Sequence, residues 1–294
     1  MKRNDTLWKG ILENIFGDFL LFFFNNADEV FDTKKGFQFL DKELEQLFPA
    51  EEILAPKFVD KLVKVFTKSG KQEWILLHIE VQGYHDKDFG ERMFTYFYRI
   101  LDRYGKRLTS IAIFTDAQKS FKPKKYVYEY LGTKLSFEFN TYKVIEQNEE
   151  MLLASDNPFA IVILTVLLAI KKKQYNNDEK LFHQKYLLAK LLLSRKISRT
   201  KINHLLIFLQ RYVTFADTEF NIKFDKVIEE LTEKRTAMGI KELVIDLAKK
   251  EGIAKGKEEV VRNLLLAKRF TISEIANFAS VTESFVLNVQ QKLS

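Results

Sequence analysis

The feature that most constrains this chain is a change of hydrophobic period between residues 57 and 82. Residues 57–67 and 73–82 are rich in Val, Ile, Phe and Trp, and Lys68-Ser69-Gly70-Lys71-Gln72 separates them. Two such runs around a Ser-Gly turn predict an antiparallel β-hairpin. On both sides the period reverts to the helical one. Leu7, Ile11, Ile15, Phe19, Phe22 and Phe23 mark an amphipathic helix ahead of the hairpin, and Phe37, Leu40, Leu44 and Leu47 a second that Pro49 ends. After it, Phe89, Met93, Tyr96, Phe97 and Ile100 mark a helix over 86–104. Leu108–Thr115 reads as a short apolar strand, with one or two further strands over 126–130 and 137–145. The order α, α, β, β, α, β implies an α/β unit with a mixed sheet and flanking helices.

From Asn157 onward each segment reads as helix: 159–173, 179–193, 200–212, 224–234, 240–267 and two short ones at the end. Polar residues cluster over 146–157. We therefore expect an α/β domain over residues 1–150 and an all-α domain over 151–294.

Within the hairpin, a turn centred on Gly70 sets Asp60 directly across from Glu80, with Gln82 on the same face. Two carboxylates held opposite one another repel unless something compensates, and a divalent cation is the simplest compensation. With no cysteine and no two histidines spaced as HExxH, thiolate and zinc-hydrolase chemistry are disfavoured. Carboxylate ligands point to Mg²⁺, with Mn²⁺ or Ca²⁺ as alternatives. Such an ion polarises a phosphodiester and acidifies a bound water. The same pattern also fits a solvated face in which Lys57, Lys61 and Lys64 neutralise the pair, and the pattern by itself does not separate the two.

The stretch FVDKLVKVFTKSGKQEWILLHIEVQGYHDKDFGERMFTYFYRILDRYGKRLTSIAIFTD resembles the recombination-promoting nuclease family. These are bacterial PD-(D/E)XK nucleases often labelled transposases. HIEVQ and MFTYFYRI occur together at the family's spacing, GFQFLDKELEQLFP resembles its leading helix, and EGIAKGKEEVVRNLL its C-terminal region. The resemblance covers roughly Phe19–Asp116. It implies a restriction-endonuclease-like fold, metal-dependent cleavage of DNA, and Asp60 and Glu80 as the motif acids. Gln82 stands where the general motif has Lys; it orients water by hydrogen bonding but cannot supply a cation. The leading helix of such nucleases often adds an acid to the metal site, here Glu43, with Asp41 second. Arg92 and Tyr96 are expected to point toward the site, Lys64 to assist with phosphate, and His78 to support Glu80 from the same face.

A formal charge of +7 agrees with a polyanionic partner without demanding one. The basic segment Phe121-Lys-Pro-Lys-Lys-Tyr126 is a candidate for backbone contact with DNA. Near the C-terminus, Ile272–Ala279, a Ser280-Val-Thr282 turn and residues 283–293 read as a helix-turn-helix, with Ser273 and Thr282 as N-caps. Its second helix opens on Glu283, Ser284 and Phe285, poor chemistry against phosphate. We expect it to serve positioning or homo-oligomer assembly. The most apolar runs, Phe19–Phe24 and Ala160–Ile170, are shorter than a membrane helix needs, and no export signal is evident. A cytoplasmic protein is expected.

Overall fold

The computed structural model describes residues 2–42, 58–69, 72–80, 88–175, 177–267 and 269–291, with residues 2–3, 58–60, 72–80, 173 and 234–255 described in backbone only. It is a mixed α/β protein with a helical C-terminal part. Helix α1 (Lys2–Phe23) buries Trp8, Ile11, Leu12, Ile15, Phe16, Phe19 and Leu20, the stripe that its periodicity predicts. It kinks at Ile15, just after Asn14, whose side-chain amide donates to the Gly10 carbonyl and competes for the helical ladder. A single turn, α2 (Ala27–Val30), follows.

The expected second helix is corrected at its start. Gln38–Phe39 forms an edge strand, β1, paired with Lys64 and Val63, and Leu40 continues the pairing by donating to the Leu62 carbonyl. Phe39 packs edge-to-face on Phe16, so tertiary burial outweighs local helical spacing. Asp41 and Lys42 are helical, and the rest of that expected helix, including Glu43, lies outside the described residues.

Strands β2 (Phe58–Phe66) and β3 (Gln72–Glu80) form the expected hairpin. Helix α3 (Phe89–Tyr104) leads back to β4 (Leu108–Phe114), parallel to β3. Ile111 to Phe114 are all buried, as a central strand covered on both faces requires. The chain then leaves the sheet for a separate hairpin, β5 (Lys125–Tyr130) and β6 (Thr133–Glu138). It returns as β7 (Asn140–Lys143), parallel to β4, which completes the sheet order β1-β2-β3-β4-β7.

Beyond the sheet come α4 (Glu149–Ala154), α5 (Pro158–Lys171), α6 (Asp178–Ser194) and α7 (Arg199–Tyr212). The chain ends with a long helix α8 (Thr218–Ala267) and two short ones, α9 (Ile272–Ala279) and α10 (Glu283–Gln291). Where two helices are expected over 224–267, α8 is unbroken; Gly239 costs about 1 kcal/mol in a helix interior, too little to end one.

The boundary expected near residue 150 is also corrected: the compact units are Met1–Ile228 and Glu229–Ser294. The polar cluster over 146–157 is capping chemistry and not a linker. Asn148 and Asn157 cap α4 and α5, and buried Arg195 donates to the carbonyls of Leu153 and Ser155. Helix α5 is buried from Pro158 to Leu168, and Phe159 packs on Phe19, Phe22 and Phe23 of α1. An all-apolar helix must be enclosed, and here α1 and α7 share in enclosing it. The second unit has its own core of Val261, Ile275, Ala276, Ala279, Val286 and Val289. Among the described residues, no helix is long and apolar enough to cross a membrane.

Candidate active site on the β2–β3 hairpin

Asp60, His78 and Glu80 lie in β2 and β3, described through their backbone, whereas Gln82 and Glu43 lie outside the described residues. The register corrects the expected pairing. Asp60 is opposite His78, and Glu80 is opposite Phe58. The turn is therefore centred one residue earlier than Gly70, and the whole pairing moves by two positions. A two-residue shift preserves the alternation, so Asp60, His78 and Glu80 still belong to one face. Asp60 and Glu80 become diagonal neighbours, a relation that spans about 7–8 Å between Cα atoms.

That face meets α3. Leu62, two positions from Asp60, packs with Ile100, Tyr96 and Tyr104. Phe114, in register with Glu80 across the parallel pair, packs on Phe89 with ring centroids 5.1 Å apart. The Arg92 guanidinium lies over the Phe89 ring, 5.3 Å from its centroid. Arg92 and Tyr96 thus belong to the helix that packs on the face carrying Asp60 and Glu80.

Lys64 is not brought there. It stands four residues from Asp60 along β2, about 13 Å at the rise of a strand, with its ammonium over the Phe66 ring. Asp41 is also corrected. Together with Glu13 of α1 it holds the ammonium of Lys61, at 2.6 Å from Asp41, on the opposite face of the sheet. Lys61 is fully buried, so it is not a solvated neutraliser of the Asp60 side.

A second buried pair escapes sequence reading. Lys143, at the end of β7, meets Asp116, which follows β4. Lys143 shares a register row with Phe114 and Glu80, and its ammonium lies over the Phe114 ring, 5.5 Å from the centroid. Partners 27 residues apart leave no local signal. The acid that follows the largely apolar strand β4 is the only hint.

Among the residues whose side chains are described, no group of three His, Asp or Glu gathers around one point; the expected ligands stand outside that set. A cavity of about 930 Å³ lies elsewhere, lined by Thr6, Gln210, Arg211, Phe215 and Asp225. It holds none of the motif residues, and Gln210 and Asp225 are bonded to each other at 3.0 Å. Set against family models, curated proteins and solved structures, the chain has no match in any of the three.

Proposed function

We propose that the protein is a metal-dependent DNA endonuclease of the PD-(D/E)XK type, with Asp60 and Glu80 as its acidic pair. The observation that carries this reading is their placement: two acids on one face of an antiparallel pair, diagonally related, beside a helix that brings Arg92 and Tyr96 to that face. The resemblance to the recombination-promoting nucleases supports it independently. Oxygen donors and the absence of cysteine fit Mg²⁺ or Mn²⁺ and not a thiophilic metal. Asp60 and Glu80 would hold the ion, with Glu43 as a third candidate ligand. A divalent ion there supplies Lewis-acid polarisation of the phosphodiester and a more acidic bound water.

The chain's own residues do the rest. Gln82 orients the attacking water through its amide, without adding charge. Arg92 offers a fixed fork to a non-bridging phosphate oxygen, and its stacking on Phe89 limits the freedom lost on binding. Tyr96 borders the same face, and His78, across from Asp60 in the register, shares the face of the acids.

Gln82 also favours a second reading, a nucleic-acid-binding module that has lost cleavage, because the Lys of the general motif is missing. Plasmid nicking with Mg²⁺ or Mn²⁺ separates the two. Wild type is expected to nick, while Asp60→Ala, Glu80→Ala and wild type in EDTA are not. A wild type that binds plasmid without nicking it establishes the second reading; mutants that still cut remove the acids from the site.

A further inference from the structure

The β5–β6 hairpin breaks local rules that the rest of the chain obeys. Its strands pair from Lys125↔Glu138 to Tyr130↔Thr133, and a two-residue turn, Leu131-Gly132, closes it. Both turn residues have positive φ, +44° at Leu131 and +86° at Gly132. That is the mirror-image turn whose first position favours Asn or Asp, because a side chain branching from a left-handed backbone costs about 1–2 kcal/mol. Leucine there bears this cost and is also 87% exposed. A side chain so exposed buries too little apolar surface to offset either penalty. A local penalty kept at an exposed tip points to a contact made outside the chain.

The tip is carried by a rigid base. Tyr126 stacks on Phe94 of α3, centroids 5.4 Å apart and planes 19° apart, and its cross-strand partner Phe137 packs on Phe94 and Phe97. Gly90 lets the Lys125 carbonyl approach so closely that a Cβ would meet it at 2.9 Å. Along β5 the face occupied by Tyr126 continues outward to Tyr128 and Tyr130, the latter 63% exposed. The result is an aromatic stripe that begins half-buried against α3 and runs into solvent. A six-residue strand is about 20 Å long, enough to cross a DNA groove about 12 Å wide.

The charge around this arm is complementary to a polyanion. Residues 119–138 contain five lysines and two glutamates, a net of +3. Two of the lysines are committed, Lys122 to Glu146 and Lys134 to Glu129. Lys124 and Lys125 are exposed, and no ion pair engages them among the described residues. A basic base under an apolar tip is the arrangement by which proteins hold phosphates and press a wedge between base steps.

We propose that the β5–β6 hairpin is a duplex-DNA arm, with Lys124 and Lys125 on phosphates and Tyr130 and Leu131 entering a groove. It names the substrate contact of the nuclease read above and rests on that reading only for the choice of DNA. The test is fluorescence anisotropy with a short labelled duplex in EDTA, so that binding is read without cleavage. Leu131→Asn is the informative variant, since Asn-Gly suits this turn and keeps the hairpin formed, which a thermal melt checks. Its affinity should fall about fivefold or more, with the salt dependence unchanged. The double variant Lys124→Ala/Lys125→Ala should flatten the slope of log K against log[salt] by about two. The arm is overturned if Leu131→Asn binds like wild type, or if wild type has no affinity for the duplex. It is equally overturned if Leu131→Asn leaves duplex binding intact and instead abolishes binding to anionic vesicles or self-association. Nicking judges the other reading separately: binding through the arm without nicking keeps the arm and removes the nuclease, and nicking that ignores the arm does the reverse.

Discussion

Asp60 and Lys61 are neighbours in β2, and the alternation of the strand assigns them to opposite faces of the sheet. On the Lys61 face the charge is closed within the protein: a fully buried ammonium meets Glu13 from α1 and Asp41 from beyond β1. On the Asp60 face two acids share one antiparallel pair, and Arg92 of the helix against that face is stacked on Phe89. A closed set of charges holds a structure together. A face with like charges on adjacent strands carries an electrostatic cost, and on our reading a divalent ion relieves it.

The sharpest way to break this comparison is to neutralise each side in turn. Asp60→Asn should lower Mg²⁺-dependent nicking by ~10³-fold or more, because a metal ligand contributes several kcal/mol to the transition state. Its urea midpoint without metal should stay level or rise, since one of two like charges is gone. Lys61→Met should do the opposite. It strands two carboxylates against a buried thioether, a loss on the order of 3 kcal/mol in urea unfolding. We take the low end of the range for buried pairs because the Glu13 side chain is 49% exposed. Nicking per folded molecule should persist. If Lys61→Met unfolds like wild type, the two faces do not differ in the way described.

Why one face was legible in the sequence and the other was not follows from chain separation. Asp60 and Glu80 lie on one hairpin, so the period of two and a single turn suffice to place them on one face. The register itself was misjudged by two residues, because Ser69-Gly70 marks a turn without fixing its length. Parity survived the error, which is why the site face did too; a one-residue error would have scattered it. Lys61 finds partners 20 and 48 residues away, and Lys143 finds Asp116 27 residues away, so neither pairing has a local signature. Lys185 is of the same kind: a buried ammonium 4.0 Å from the centre of the Phe224 ring and bonded to the Gln210 carbonyl. The misplaced boundary had another cause. Asn148 and Asn157 look like linker composition in the sequence, yet each caps a helix.

Gly90→Ala sharpens the comparison on the Asp60 side. The added methyl would meet the Lys125 carbonyl at 2.9 Å, a backbone atom that cannot swing away as a side-chain end does. Either α3 or the base of the β5–β6 hairpin must shift, at about 1–3 kcal/mol. Because α3 lines the Asp60 face, nicking per folded molecule should fall along with stability, in contrast to Lys61→Met. Stability lost with activity intact would detach α3 from the site.

The smallest effect concerns a carboxylate satisfied by neutral donors alone. Glu274 accepts from the Thr271 N–H and hydroxyl, each at 2.8 Å, in a capping box at the start of α9; Thr271 is the cap there, not Ser273 as its position in the sequence had indicated. Those bonds favour the charged form and hold its pKa below the ordinary glutamate range. With a lowered pKa, the contribution is complete above the ordinary value and is lost as pH falls through the lowered one. Acidification below about pH 4 should therefore fray Ile272–Ala279, read as faster amide exchange in that helix. Glu274→Gln should remove the pH dependence while keeping an acceptor for the Thr271 N–H. Mg²⁺ should leave the Thr271 amide signal where it is, since two hydrogen-bond donors already satisfy this carboxylate, while signals from Asp60 and Glu80 should move. A Thr271 amide that responds to Mg²⁺ as strongly as the hairpin does would mean that any exposed carboxylate of this chain takes up the ion. The Asp60 face would then lose its claim to be special.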